Sequence, residues 1–223
     1  MDELEQQPPL RERARDRLER LIVSGHYQPG EHLVETDLAK KLGVSRGPVR
    51  EALHMLQLQG WVSLRPRQGA FVHDPSVEEV DQFFQVRVLL EAEVSARVAG
   101  KVRPEDVVAL RSQIVAAREA IETGDEAKLI AGNAAFHGYI HQLAGNPVLI
   151  GLVETLDKRM RWYFAPVATE RAPAAWDEHE ALVAALAEGD RSQAVAITRH
   201  HNELTRQAWM RHREVLETAA TSA

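Results

Sequence analysis

Cysteine is absent from this 223-residue chain, which excludes a disulfide framework and any thiolate metal centre. Aromatic residues are also scarce, at 5% against 44% hydrophobic, so the core must be assembled from Ala, Leu and Val, a composition that leans toward packed helices. No apolar run is long enough to cross a bilayer. The opening stretch from Met1 to Pro9 is acidic and polar, unlike a signal peptide, and a cytoplasmic protein without a membrane partner is the expectation. An overall excess of positive charge is lacking too: the net charge is −6, which taken whole argues against a nucleic-acid partner. The distribution reverses that argument. Residues 10–73 hold eleven Lys and Arg against seven Asp and Glu, whereas residues 76–223 hold sixteen against twenty-two. A cationic module joined to an acidic one suits a DNA reader with a separate second domain. The expected division is 1–75 and 76–223.

The most informative stretch runs from Val44 to Leu53. Ser45 has the composition of an N-cap, its hydroxyl able to accept a backbone N–H of the first turn, and Pro48 is tolerated there. Val49, Leu53 and Leu56 recur at helical spacing as an apolar strip. Arg46, Arg50 and His54 repeat every four residues on the neighbouring strip and project together. Gly60 ends the segment. Upstream, residues 35–43 read as a short helix with Leu38 and Leu42 inward, closed by Gly43. Downstream, Trp61–Leu64 and Ala70–Val72 read as strands, joined by the basic turn Arg65-Pro66-Arg67-Gln68-Gly69. Helix, turn, helix and a basic-tipped hairpin make a winged helix-turn-helix. Before it, a helix from Leu10 to Val23 places Leu10, Ala14, Leu18, Leu21 and Ile22 on one side. Its five arginines interleave with Glu12, Asp16 and Glu19, most simply a salt-bridged exposed face; a phosphate role for one of them is secondary.

Pro29-Gly30-Glu31-His32-Leu33, Leu38-Ala39, Leu42 to Arg46, Pro48 to Leu53, Gly60 and Gly69 together resemble the DNA-binding domain of GntR-family bacterial regulators, over about residues 10–73. The resemblance implies that Arg46 and Arg50 contact operator bases or phosphates, flanked by Ser45 and Gly47, and that the wing (Arg65, Arg67, Gln68, Gly69) enters the minor groove. Gly47, where the family commonly has Thr, and Thr36, where some members carry Arg, depart from the pattern.

Beyond Ser76, helix-period patterns are cut at 102–104, 123–125, 145–147, at Ala165-Pro166 with Ala172-Pro173, and at 188–190. These breaks define six antiparallel helices, with Asp125 and Asp190 as N-caps. Asn133 and His137 share a helix face. His179, preceded by Glu178, and His201 return to similar heights across a short turn. One Asn and three His from three helices would form an N/O site suited to zinc or another borderline divalent ion such as nickel, manganese or iron. His137 with His141, and His200 in place of His201, are competing geometries. Glu178, adjacent to His179 in sequence, is expected to turn away from the site.

Asn133-x-x-Phe136-His137, Gly145-Asn146-Pro147, Glu178-His179 and His201 resemble the FCD ligand domain of the FadR-like branch of that family. The resemblance implies a divalent metal on Asn133, His137, His179 and His201, with Asn where the family has Asp, and a small carboxylate effector beside it. It also gives Arg87 a role facing that carboxylate; an ion pair with Glu91, one turn on, is the alternative. Arg159, Arg161, Trp162 and Tyr163 are candidates to line the same cavity. The expectation is a mainly α protein, a homodimeric repressor on a pseudo-palindromic operator, and not an enzyme. Two rivals are a metal-dependent enzyme using the three-histidine site and an architectural DNA binder with a purely structural bundle.

Overall fold

A computed structural model describes residues 8–221, so the start of the acidic N-terminal stretch read above lies outside the described residues. The chain divides into two compact units, Met1–Pro75 and Ser76–Ala223.

The first unit contains α1 (Leu10–Val23), β1 (His32–Leu33), α2 (Glu35–Leu42), α3 (Arg46–Leu58), β2 (Val62–Arg65) and β3 (Gly69–Val72). Ala14, Leu18 and Ile22 of α1 face Val49, Ala52, Leu53 and Leu56 of α3 in one apolar core. Leu10, expected inward, is half exposed because it is the first helical residue, beyond the reach of that core. Gly43 closes α2 in the left-handed conformation, φ +67, which costs glycine nothing sterically. Ser45 occupies the N-cap position of α3, but its hydroxyl caps no backbone group. Part of the reason lies three residues further on: an N-cap oxygen takes the N–H of the second or third helical residue, and the third is Pro48, which has none, leaving Gly47 as the one donor within reach.

The sheet order is β1-β3-β2, all antiparallel. Arg65 pairs with Gly69 across the hairpin, and the tip is closed by Gln68 N–H donating to Arg65 O at 3.0 Å. Arg67 at φ +63 and Gly69 at φ +100 make the turn. The two-residue β1 was not expected. It is too short to show alternation, and it exists because His32 and Leu33 register against Phe71 and Ala70.

The second unit is all helical: α4 (Val77–Val98), α5 (Pro104–Thr123), α6 (Glu126–Leu143), α7 (Pro147–Phe164), a 3₁₀ turn (Ala165–Val167), α8 (Ala168–Glu188) and α9 (Arg191–Thr221). Asp125 and Asp190 accept from Lys128 N–H and Gln193 N–H at 3.1 and 2.9 Å, the capping bonds that start α6 and α9. Ala165-Pro166 breaks the chain as read, whereas Pro173 lies inside α8. Pro173 is exposed in the second turn, so its missing hydrogen bond falls on a solvated flank. α4 packs along α9, and α5 against α6 and α8. Phe136, Trp176, Leu110 and Leu186 anchor the centre. Among the described residues no helix is long and apolar enough to cross a membrane.

Candidate functional site

Two clusters of side chains stand out, one in each unit. In the first, burying Val49, Leu53 and Leu56 leaves Arg46, Arg50 and His54 exposed along one face of α3. Both arginines meet a single carboxylate, Glu35 at the start of α2, with Nη2–Oε2 distances of 3.3 Å from Arg46 and 3.0 Å from Arg50. Arg50 adds a second bond, Nε to Oε1 at 3.2 Å. These bonds hold the Glu35 carboxyl below its ordinary range and raise the Arg50 guanidinium. Sequence reading missed Glu35, since nothing in a single chain marks which acid of a neighbouring helix meets an arginine. Gly47 presents open space. On the wing, the Arg65 guanidinium lies over the Phe71 ring, 4.1 Å from its centroid, a cation–π contact. Arg67 and Gln68 project at the tip, and a Cβ on Gly69 would come within 2.9 Å of His32 Nε2.

In the second unit, α6 contributes His137, α8 His179 and α9 His201. All three are buried, and their candidate ligand atoms lie within 4.8 Å of one another. The ring centroids are 4.8 to 5.2 Å apart. His179 is held by Phe136, stacked at 4.2 Å, and by the edge of Trp176. The cavity between the rings has a volume of about 10 Å³, close to a single water-sized probe, so it accommodates one atom-sized guest.

The donor set fits a divalent cation. His137 Nε2 and both ring nitrogens of His179 are buried without a hydrogen-bond partner, as is Asn133 Oδ1, one turn before His137 on α6. Buried polar atoms left unpaired are costly; a cation would take His137 Nε2 and one ring nitrogen of His179, while Asn133 is not part of the cavity lining. Burial holds His137 and His179 well below the ordinary imidazole pKa, so both are neutral, the form that ligates.

Glu178 does not turn away, contrary to expectation. Its Oε2 accepts from His201 Nδ1 at 2.8 Å, and it also pairs with Arg171. Burial would raise the Glu178 carboxyl, but His201 and Arg171 hold it below its usual range. A carboxylate can only accept, so His201 carries its proton on Nδ1 and presents Nε2 to the cavity. Glu91 lies near His137, Oε1 to Nδ1 at 3.7 Å, an electrostatic contact longer than a hydrogen bond.

A second triad, Glu91, His137 and His141, also gathers ligand atoms within 4.8 Å. Its charge state differs. Burial pushes His141 down, but the carboxylates of Glu91 and Asp157, at 3.4 and 3.6 Å, raise it to about 9. His141 is therefore an imidazolium at neutral pH and not a ligand. His200, the other alternative, is exposed.

Arg87 is buried in an ion pair with Glu91, and its Nε donates to Asn202 Oδ1 at 3.1 Å. Asn202 returns a bond to Glu91 Oε2 at 2.7 Å. Glu91 is part of the cavity wall and Arg87 is not, so the carboxylate separates the guanidinium from the cavity. Arg159, Arg161, Trp162 and Tyr163 do not line the cavity either. Arg159 packs over Trp162. Tyr163 is buried among Phe83, Trp162 and Trp209, its hydroxyl donating to Glu79 at 3.3 Å.

Residues 10–72 match the profile of bacterial regulatory proteins of the gntR family, and residues 82–204 that of the FCD domain. The chain is similar to the HTH-type transcriptional regulator YdhC of Bacillus subtilis, 31% identical over 140 residues, which are 62% of this chain and 62% of YdhC. It is 30% identical to the HTH-type transcriptional regulator McbR of Escherichia coli over 143 residues, 64% and 65% of the two. The match thus spans a little under two thirds of the length of each relative. In fold it is like the structure of E. coli McbR/YncC, with a TM-score of 0.76 at 23% identity over 92% of this chain and 99% of the other. It is also like a GntR regulator from Rhodococcus sp. RHA1, with a TM-score of 0.76 at 21% identity over 90% and 97%.

Proposed function

The chain belongs to the gntR family of bacterial regulatory proteins, with an FCD domain as its second unit, and on that premise we propose that it is a DNA-binding transcription regulator controlled by a small ligand. Residues 1–75 are the DNA-binding domain and residues 76–223 the sensing and dimerising one. The observation that carries the reading is the pair Arg46 and Arg50, exposed side by side on α3 and oriented by Glu35. Guanidinium forks suit guanine edges and phosphates alike, and the Arg65 and Arg67 wing reaches the adjacent groove. One 13-residue helix spans too few base pairs for useful specificity, which favours a homodimer on a two-fold operator, acting in the cytoplasm where the chromosome lies.

In the helical domain, His137, His179 and His201 would hold a divalent cation such as zinc, with Asn133 as a fourth donor; the ion would supply a positive centre for an anionic effector. Glu178 orients His201 for it. We read the protein as a repressor whose operator affinity falls when a small organic acid binds, by differential affinity for two states. The relatives are transcriptional regulators, which leaves the enzyme reading without support.

The test is in vitro selection of duplexes by the full chain, followed by titration of the selected duplex with Arg50→Ala. A loss of about 1–3 kcal/mol is expected for a base-reading arginine. Failure to enrich any sequence refutes DNA reading. Elemental analysis beside His179→Ala checks the metal: equal, negligible metal in both refutes that part alone.

A further inference from the structure

The arginines of α1 are only partly absorbed by salt bridges. Arg15 pairs with Asp16 at 2.6 Å, and Arg11 reaches Glu51 at 3.6 Å. Among the described residues the side chains of Arg17 and Arg20 form no ion pair and no hydrogen bond. With Arg13 they occupy positions i, i+4 and i+7 and are all exposed, so they stand in one row on one face of α1. Like charges four apart on a helix weaken it, and among the described residues Arg17 and Arg20 carry that cost with no ion pair of their own. Arg20 in the last turn has a local rationale, since a cation there complements the helix dipole; Arg17, mid-helix, has none.

The row does not stand on an open surface. Arg13, Arg17 and Arg20 line a groove of about 330 Å³ whose other wall includes Leu42 and Val44; Asp16 also borders it, its carboxylate taken up by Arg15. Those residues flank the turn between α2 and α3, and Val44 directly precedes Ser45, the N-cap position of α3, next to Arg46 of the cationic face described above. The groove therefore abuts the N-terminal end of α3. From Arg13 to Arg20 is about 10 Å along the helix at 1.5 Å per residue.

We propose that Arg13, Arg17 and Arg20 form a second DNA-contacting surface. It grips the phosphate backbone alongside the groove that α3 enters, and adds affinity without reading sequence. The proposal rests on the DNA-binding reading and extends it to a helix that the reading does not need. Guanidinium forks match phosphate oxygens bidentately. Such contacts position the protein and carry no base information.

The test uses the full chain with Arg17→Ala/Arg20→Ala, leaving the partnered Arg13 in place. Two probes are used: a 40-base-pair duplex selected by the wild-type protein and a random-sequence duplex of the same length. Binding is followed by fluorescence anisotropy between 50 and 200 mM KCl. Each lost phosphate contact reduces the slope of log K against log[salt] by about 0.9, so a reduction of about 1.8 per bound copy is expected, with equal weakening on both duplexes. Arg17→Lys/Arg20→Lys keeps the charge and should keep the slope. Alanine is the better helix former, so the thermal melt should stay at the wild-type temperature. An unchanged slope overturns the proposal, as does weakening confined to the selected duplex or equal loss in the lysine variant. A wild-type chain that binds neither duplex overturns the DNA-binding reading itself, a failure visible before any variant is made.

Discussion

Glu178→Gln separates the charge behind His201 from the shape of the side chain. In the structure Glu178 Oε2 accepts from His201 Nδ1 at 2.8 Å and pairs with Arg171. Its side chain is 14% exposed and that of Arg171 5%. Glutamine retains an acceptor for His201 but loses the charge that strengthens the ring as a donor to a cation. Outer partners of this kind affect metal affinity about 10- to 100-fold, or about 1.4–2.8 kcal/mol. Because one acceptor survives, the lower end is expected for Gln and the upper for Glu178→Ala. The fold should also lose about 1–3 kcal/mol, since Arg171 already has a buried Nε without a partner. The assay is competition for zinc against a chromogenic chelator at pH 7, run beside urea denaturation of the metal-free protein. Arg171→Met separates the two effects: it should lower stability while changing zinc affinity less than Glu178→Gln does. A folded Glu178→Gln variant whose zinc affinity stays within threefold of wild type refutes the claim that this carboxylate tunes the centre.

Stability of the metal-free protein should be dome-shaped in pH. His141, raised to about 9, contributes stability that is complete below about 6.5 and lost as pH rises toward 9, worth about 3 kcal/mol. His137 and His179, held low, and Glu91 and Glu178, held below their usual range, act in the other direction. Protons taken up by the unfolded chain below about pH 6.5 for the histidines, and below about 4.5 for the glutamates, reduce stability as pH falls. Urea midpoints with chelator from pH 4 to 9.5 check both limbs, and His141→Gln should remove the alkaline one. Phe136→Ala should cost about 3–5 kcal/mol, because the ring is fully buried and stacks on His179; a thermal shift of less than 2 °C counts against its role as the wall of the site.

Much of this architecture was legible in the chain because it rests on local chemistry. Gly43, Asp125, Asn146 and Gly189 end or begin helices through their own backbone and side-chain preferences, and those preferences act wherever the residue occurs. The apolar strip of α3 and its cationic neighbour follow from helical periodicity alone. What escaped reading was set by partners distant in sequence. Ser45 has the residue type of a cap, but that rule does not by itself register that Pro48 removes one of the two donors a cap can use. Glu178 looked averted because adjacency to His179 was counted, while the approach of His201 from α9 was not. Arg87 kept two readings until Asn202, 115 positions later, enclosed it with Glu91. Tyr163 shares a segment with Arg159, which suggests a common purpose, whereas the fold sends it into an aromatic cluster beside Glu79.

The space among the three imidazoles is smaller than any organic acid. Acetate alone has four heavy atoms, several times what about 10 Å³ admits. A guest of that size enters only by prying α6, α8 and α9 apart, and packed interiors resist such parting or move to another arrangement rather than stretch. A single atom enters without disturbing the helices, whereas for an organic guest admission and mechanical response would be one event.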